Sequence, residues 1–455
     1  MTIPLPVRVA DAEDQRPRVA VIGGGLLGMA AAWRLLQAGV HPVVYERDAQ
    51  LGGLAGTVSL DGIAVDRYAH LTLPTDERVI ALAAEVGLGE SFRFRRCRAG
   101  LYHQGRATSM CTPRELVSFP GLKAIDRVRL VALAARCRAG SDYLRLDETP
   151  LEEWLVRLCG RRPWEQLWRP LLDSKFDGRY HDLPATYLWS RLRRMSCFRD
   201  PSSHLVMGAL DGGCQALVDA LANAIRRRGG DVRANNQVGA IVSSAGRAFG
   251  VVSSTGFEQY DHVVSTLLPA ATRPLLGPDL VEQVGDDRCR YLGVVSLVLR
   301  LRRRLSPWYA LSITDRRVPL TAVVETTHVI DPERVGGALV YATKYVNSDS
   351  PDLERSTAEV KRAYLGHIRT MFPGFSEAEV LAGHVARRRM AEPVHTLGGG
   401  GRPPDMFPAP GLATASSAHV YPETVSGDAA IGVAERLVAG LITRLESTRT
   451  QRAAA

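Results

Sequence analysis

The chain has 455 residues, 45% apolar and 23% charged, and a formal net charge of +9. This length predicts two or three domains rather than one core, and the composition excludes a disordered or fibrous chain. Four lysines (Lys123, Lys175, Lys344 and Lys361) leave arginine to carry nearly all of the basic excess, which reads first as biased base composition and second as attraction to phosphate groups or an acidic membrane surface.

Seven scattered cysteines without a CxxC pair argue against a zinc site and a secreted disulfide framework, and for reduced thiols in the cytosol. No metal ligands are assigned. Residues 1–16 mix charge and proline without an apolar core, so a disordered lead and no signal peptide are expected. No apolar run reaches the ~18 residues needed to span a bilayer. The expectation is a cytoplasmic protein, with peripheral membrane contact as the one variation, through a helix over 124–138 whose polar face is strongly basic.

Arg18–Ile22 is a short apolar run ending in three glycines, which suits a buried parallel strand. Helical spacing over 26–37 stops at Gly39, and 43–45 is a second strand, which completes a βαβ unit. Residues 76–204 are predicted mostly helical, with apolar spacings of three and four over 78–86, 124–138, 150–158 and 187–194. Gly212 and Gly213 open a long amphipathic helix. Short strands follow over 231–234, 239–242, 248–252 and 262–265, and residues 290–345 are β-rich. Helix returns over 357–371, a glycine- and proline-rich loop precedes a strand over 412–415, and a last helix covers 429–441.

Gly23-Gly24-Gly25-Leu26-Leu27-Gly28 satisfies G-x-G-x-x-G between strand and helix, the context that gives the pattern meaning. Gly23 permits the tight turn, Gly25 lets backbone approach a pyrophosphate, and Gly28 lets helix and strand pack; the helix N-terminus then faces the phosphates. Glu46 ends the second strand, 18 residues after Gly28. A carboxylate there accepts both ribose hydroxyls of an adenosine and repels a 2′-phosphate, which disfavours NADP.

Arg47, Gly52-Gly53-Leu54 and Thr57 then form a second glycine segment. It resembles the one that follows the dinucleotide fold in FAD-dependent amine oxidases, protoporphyrinogen oxidases, phytoene desaturases and UDP-galactopyranose mutases. Asp211-Gly212-Gly213 and the closing 411–417 and 427–430 segments extend the resemblance over most of the chain. It implies an α/β (α+β two-domain) fold. A discontinuous Rossmann-like FAD-binding domain is expected from 17–75, 205–270 and 405–445. A substrate domain of mixed β-sheet and helices is expected from 76–204 and 271–404, with a flexible tail over 446–455.

The resemblance further implies that Arg47, Gly52, Gly53, Leu54 and Thr57 join Gly23, Gly25, Leu26, Leu27, Gly28 and Glu46 in holding FAD. Backbone near Val238 would hold the adenine edge, and Ser417, Gly427 and Ala429 the flavin end. Leu54 departs from the arginine usual in amine oxidases, and Ser416-Ser417 replaces the usual Gly-Asp. No cysteine lies between residues 405 and 455, so FAD is expected to be non-covalent.

Candidate catalytic residues come from three segments. Asp66-Arg67-Tyr68-Ala69-His70 is similar to the D-x-G-x-H stretch of the oxidase and mutase branches, which puts His70 near the flavin face. The resemblance also implies that Lys344, in an apolar strand, is the candidate for holding water near the flavin, whereas Lys175 is expected to pair with its flanking acids Asp173 and Asp177. His419, Tyr421 and Glu423 fall on one side if their segment is extended, which suits proton transfer. Trp154, Trp164, Trp168, Tyr187 and Trp189 read as core packing before they read as a tunnel wall.

The implied activity is FAD-dependent oxidation or desaturation of a small-molecule metabolite, lipid-like or glycosylated, with oxygen, a quinone or a redox partner as electron acceptor. The alternative is a non-redox mutase or isomerase acting on a nucleotide sugar, its diphosphate held by Arg191, Arg193 and Arg194 or by Arg387, Arg388 and Arg389. A homodimer is the assembly considered, and no nucleic-acid partner is expected.

Overall fold

The computed structural model describes residues 7–8, 16–109, 121–140, 143–196, 205–284, 289–399 and 405–454. Five parallel strands form the dinucleotide sheet, in the order Asp231–Arg233, His41–Tyr45, Arg18–Ile22, His262–Ser265 and Leu412–Thr414. A parallel strand covered on both faces needs an unbroken apolar run, and Val19–Ile22 and Pro42–Tyr45 are each buried throughout. On one face Leu26–Gln37 packs with Gly213–Arg227 and Gly427–Ala454. On the other, Ala20, Ile22, Val43 and Tyr45 share a core with Val238, Ile241, Ala248 and Val251, from a small sheet of Val238–Ser244, Arg247–Ser253, Gly256–Gln259 and Val7–Arg8.

The second domain is built on a seven-stranded mixed sheet, in the order Val380–Val394, Arg290–Leu301, Ala338–Asn347, Ala322–Glu325, Ala310–Ile313, Ala99–His103 and Arg106–Ser109. One face, with Val295, Val340, Ala342 and Val346, packs on the helix Thr357–Met371. The other turns Val298, Leu339 and Tyr341 toward Leu60 and Val65 of the hairpin Thr57–Leu60/Ile63–Asp66. That hairpin follows the second glycine segment directly, so it locks the two domains together at the end where the candidate site lies. Trp154, Trp164 and Trp189 are buried with Leu130, Leu133 and Phe176 in a helical core, which bears out their reading as packing residues.

Several elements depart from the expected pattern. Phe92–Cys97, Ala99–His103 and Arg106–Ser109 are strands within the stretch predicted as helical. Phe92 and Phe94 stack with centroids 6.0 Å apart, and Phe92–Cys97 pairs with Leu205–Leu210: period-two spacing with a partner strand outweighs the surrounding helical composition. The long edge strand Val380–Val394 was not predicted, since Arg387-Arg388-Arg389 interrupts its alternation. In the lead, Val7 and Arg8 pair in parallel with Phe257 and Glu258; residues 1–6 and 9–15 lie outside the described residues. The last helix continues to Ala454, through the segment expected as a tail.

Candidate active site

Gly23 has φ +113°, and a Cβ there would stand 2.5 Å from Thr266 Oγ1. A Cβ on Gly28 would fall 2.0 Å from the carbonyl oxygen of Gly23, so helix and turn meet only because it is missing. Gly25 differs. The nearest atom to a Cβ there is Gly52 O, at 3.8 Å, so this position faces open space. The first helical bond runs from Met29 N–H to Gly25 O at 2.9 Å, which leaves the N–H groups of Leu26, Leu27 and Gly28 without helical acceptors and suited to an anion.

The second glycine segment is tied to this turn. Gly52 N–H donates to Gly24 O at 2.9 Å, and Gly25 and Gly52 form a parallel bridge. Positive φ angles at Gly52 (+120°) and Gly53 (+58°) fold the segment in a way few side chains tolerate. A Cβ on Gly52 would approach Gln215 Oε1 to 2.8 Å, and that amide oxygen is a buried acceptor with no donor. Two strips of bare backbone thus run side by side, next to an unsatisfied polar atom and an uncapped helix N-terminus. A dinucleotide fits this cradle.

Glu46 accepts from Gly24 N–H at 2.8 Å and Asp48 N–H at 3.1 Å, and its carbonyl accepts from Asn236 N–H at 2.8 Å. The chain leading into buried Val238 is thereby held beside Glu46. Arg47 is exposed and pairs with Asp48 at 3.6 Å, and Thr57 Oγ1 accepts from Gln50 at 2.7 Å. At the far end of the chain, a Cβ on Gly427 would lie 3.4 Å from Leu26 Cδ2, so the last helix begins beside the first. Asp428 serves the neighbouring helix, accepting from Arg78 N–H at 2.7 Å and Val79 N–H at 3.1 Å; Ala429 N–H donates to Ser426 Oγ at 3.1 Å.

Beyond the glycine segments a cavity of about 280 Å³ opens between the hairpin, the seven-stranded sheet and the turn at Gly212–Cys214. His70 and Asp66 line it with Tyr309, Tyr341, Thr326 and Arg334, and Val65, Leu210, Val329 and Leu339 supply an apolar wall. His70 Nε2 lies 3.0 Å from Leu54 O, which fixes the ring against the second glycine segment. Tyr341 donates its hydroxyl to Asp66 O at 2.8 Å. Burial pushes the Asp66 carboxyl above the usual carboxylate range, opposed by His70 and by Cys214 N–H, which donates at 3.1 Å.

A smaller cavity, about 30 Å³, is lined by Tyr187, Arg191, Glu392, His395, Ser417, Tyr421 and Glu423. Glu392 accepts from Lys175 Nζ at 2.6 Å and Arg191 Nη2 at 2.5 Å, and the Lys175 ammonium lies 3.1 Å from the Tyr345 ring centroid. Burial pushes Lys175 down to about 8, with Glu392 opposing.

Three sequence readings need correction. Lys175 pairs with Glu392 rather than with Asp173 or Asp177, because its helix aims it at the sheet. Lys344 is ion-paired to Asp352 and alternates with Ala342 and Val346, so it faces the helix Thr357–Met371, away from His70. His419 does not align with Tyr421 and Glu423: Ser417–Val420 is a 3-10 helix, and the His419 imidazole accepts from Ser416 N–H at 3.0 Å. Tyr421 and Glu423 do meet, with Ser417. Sequence reasoning missed Tyr341 and Tyr345, although both stand at odd positions of the same strand as Lys344 and so on its opposite face. Glu392 carried no sequence signal.

The fold and cradle define a flavin-type dinucleotide protein. The family model described as flavin containing amine oxidoreductase matches residues 28–395, and the chain belongs to that family, which implies a flavin cofactor. A 15-cis-phytoene desaturase of Synechococcus elongatus is 24% identical over 395 residues, 78% of this chain and 80% of the relative. A Mycobacterium tuberculosis chain named as a flavin-containing monoamine oxidase is 32% identical over 144 residues, which span 30% of this chain and only 32% of the relative's length. The solved structure of putrescine oxidase bound to putrescine aligns with a TM-score of 0.73 at 18% identity, over 96% of this chain and 100% of that one; this likeness concerns the fold.

Proposed function

We propose that this protein is an FAD-dependent oxidoreductase that oxidises or desaturates a small, largely apolar metabolite seated in the 280 Å³ cavity. The observation that carries the reading is the hydrogen-bonded pair of glycine segments, tied through the Leu54 carbonyl to His70, which lines that cavity. In the proposed complex the N–H groups of residues 26–28 and the backbone at Gly52 and Gly53 hold the diphosphate. Glu46 takes the ribose hydroxyls, Val238 borders the adenine, and Ser417 with the start of the last helix borders the flavin end. Bound FAD supplies the capacity to take up two electrons from a substrate C–H bond and pass them to oxygen, a quinone or a redox partner.

The chain's own residues bind, orient and exclude water. His70, held by the Leu54 carbonyl, stands where a proton can be exchanged with substrate, and Asp66 with Tyr341 closes the same wall. The apolar wall of Val65, Leu210, Val329 and Leu339 favours a lipid-like metabolite over a charged one. The nucleotide-sugar alternative has less support. Arg191 is engaged by Glu392, Arg194 by Asp76 at 3.0 Å, Arg387 by the Arg355 carbonyl at 2.8 Å, and Arg389 by the Ser348 carbonyl at 2.7 Å.

Purified protein is expected to be yellow, to release its flavin on denaturation, and to bleach anaerobically with an apolar substrate from a panel of polyprenyl, sugar-nucleotide and polyamine compounds. Bleaching by polyamines alone would overturn the substrate class. A well-folded preparation that stays colourless in excess FAD would overturn the cofactor.

A further inference from the structure

Seven large apolar side chains are exposed among the described residues, and five of them, Ile125 (55%), Val128 (64%), Val131 (43%), Tyr143 (38%) and Leu144 (56%), belong to one helical corner. The helix Ala124–Arg138 and the short helix Tyr143–Asp147 both rest on Ala185–Ser196. The first helix has two apolar sides. At about 100° per residue, Leu130, Leu133 and Cys137 form one strip and are buried in the helical core. Ile125, Val128, Val131 and Ala135 form a second strip on the opposite side, and all four are exposed.

Between the strips run arginines: Arg129 and Arg136 along one flank, Arg127 and Arg138 along the other. Lys123 and Arg145 extend the basic rim. Two described acids of the corner turn inward. Asp126 is buried and pairs with Arg162 at 3.3 Å, and Asp147 is buried and accepts from the Thr186 hydroxyl at 2.7 Å; Glu148, just beyond, is exposed. A solvated surface helix has no need of a second apolar strip, and a protein partner matched to this corner would have to supply both an apolar ridge and an acidic border. An anionic bilayer has both properties at once: acyl chains accept the apolar strip, and arginine stems lie along it while their guanidinium groups reach the headgroup phosphates.

We infer that the Ala124–Arg138/Tyr143–Asp147 corner docks the protein on the surface of an anionic phospholipid bilayer. No helix among the described residues is long and apolar enough to cross one, so the contact is superficial and reversible. It goes beyond the proposed redox reading and does not depend on it.

The full chain tests this by co-sedimentation with vesicles of phosphatidylcholine alone and of an equimolar mixture with phosphatidylglycerol. Binding to the mixed vesicles is expected to be roughly tenfold tighter or more, and to weaken as salt screens the arginines. Val128→Asp with Val131→Asp, both exposed and so compatible with folding, is expected to abolish it while flavin content and the circular dichroism spectrum stay unchanged. Arg136→Gln with Arg138→Gln is expected to lower binding to mixed vesicles only. Equal sedimentation with and without mixed vesicles, or undiminished binding by the valine variant, overturns the inference. So does a chain that ignores vesicles but is a dimer in solution and becomes a monomer in the valine variant, since the corner then covers a second copy.

Discussion

Glu392 stands between two cations, Lys175 and Arg191, with all three side chains largely buried, so the cluster carries one uncompensated positive charge. The two ways of altering it are therefore unequal. Glu392→Gln leaves two cations facing each other without a counterion and is expected to cost about 3–5 kcal/mol. Lys175→Met leaves Glu392 and Arg191 matched one to one and is expected to cost about 1 kcal/mol or less. Denaturant unfolding of both variants measures the contrast, and comparable losses would refute the charge argument. A second buried acid makes stability depend on pH. Burial pushes Glu325 up to about 7, whereas an unfolded glutamate titrates near about 4.3. Between those values the folded state keeps a proton that the unfolded state has released, so stability falls as pH rises through this window, and the loss is complete above it. Glu325 Oε2 accepts from Leu305 and Ser306 N–H at 3.1 and 3.2 Å, and a glutamine can accept both without ever ionising. Glu325→Gln is expected to melt a few degrees above the parent at pH 8 and to approach it as the pH falls below about 4. A difference that does not change with pH would exclude the assignment.

At the scale of the element, the last two glycines of the G-x-G-x-x-G turn, Gly25 and Gly28, separate folding from cofactor binding. Alanine at Gly28 would place a methyl group 2.0 Å from the Gly23 carbonyl, so Gly28→Ala is expected to damage the βαβ unit itself. Alanine at Gly25 meets only Gly52 O, at 3.8 Å, and the backbone there has φ −73°, which any residue adopts. Gly25→Ala is accordingly expected to fold with native circular dichroism yet lose FAD, because its methyl group fills the space a diphosphate needs. Yellow Gly25→Ala protein would move the cofactor off this turn. The βαβ unit could be read from the sequence because an apolar run, the glycine spacing and a terminal acid coincide within one short window. Strand Val380–Val394 could not, since an edge strand tolerates charges on its open side and three consecutive arginines erase period-two alternation. Lys344 was misplaced for a related reason: alternation separates a strand's residues into two sets but does not say which set faces the cavity.

Across the whole molecule, the dinucleotide sheet draws its strands from residues near 20, 43, 232, 263 and 413, and the cavity draws on the 57–66 hairpin, the 212–214 turn and the 338–347 strand. No local window contains either. Only the resemblance suggested a discontinuous plan, and the walls of the cavity could not be read from the residues, because they are set by how the seven-stranded sheet meets the hairpin. The same dispersion has a thermodynamic consequence. A ligand held at the first turn, at Glu46, near Val238 and at the start of the last helix ties together segments that must all separate on unfolding, so binding stabilises the folded chain by mass action, about 2.7 kcal/mol at a hundredfold excess over Kd. In the proposed complex Glu46 takes the ribose hydroxyls, and a 2′-phosphate there would meet its carboxylate. FAD is therefore expected to raise the melting temperature of flavin-stripped protein progressively with concentration, while NADP at the same concentrations leaves it unmoved. Equal protection by NADP would mean that Glu46 does not read the ribose, and the adenylate end of the cradle would have to be placed elsewhere.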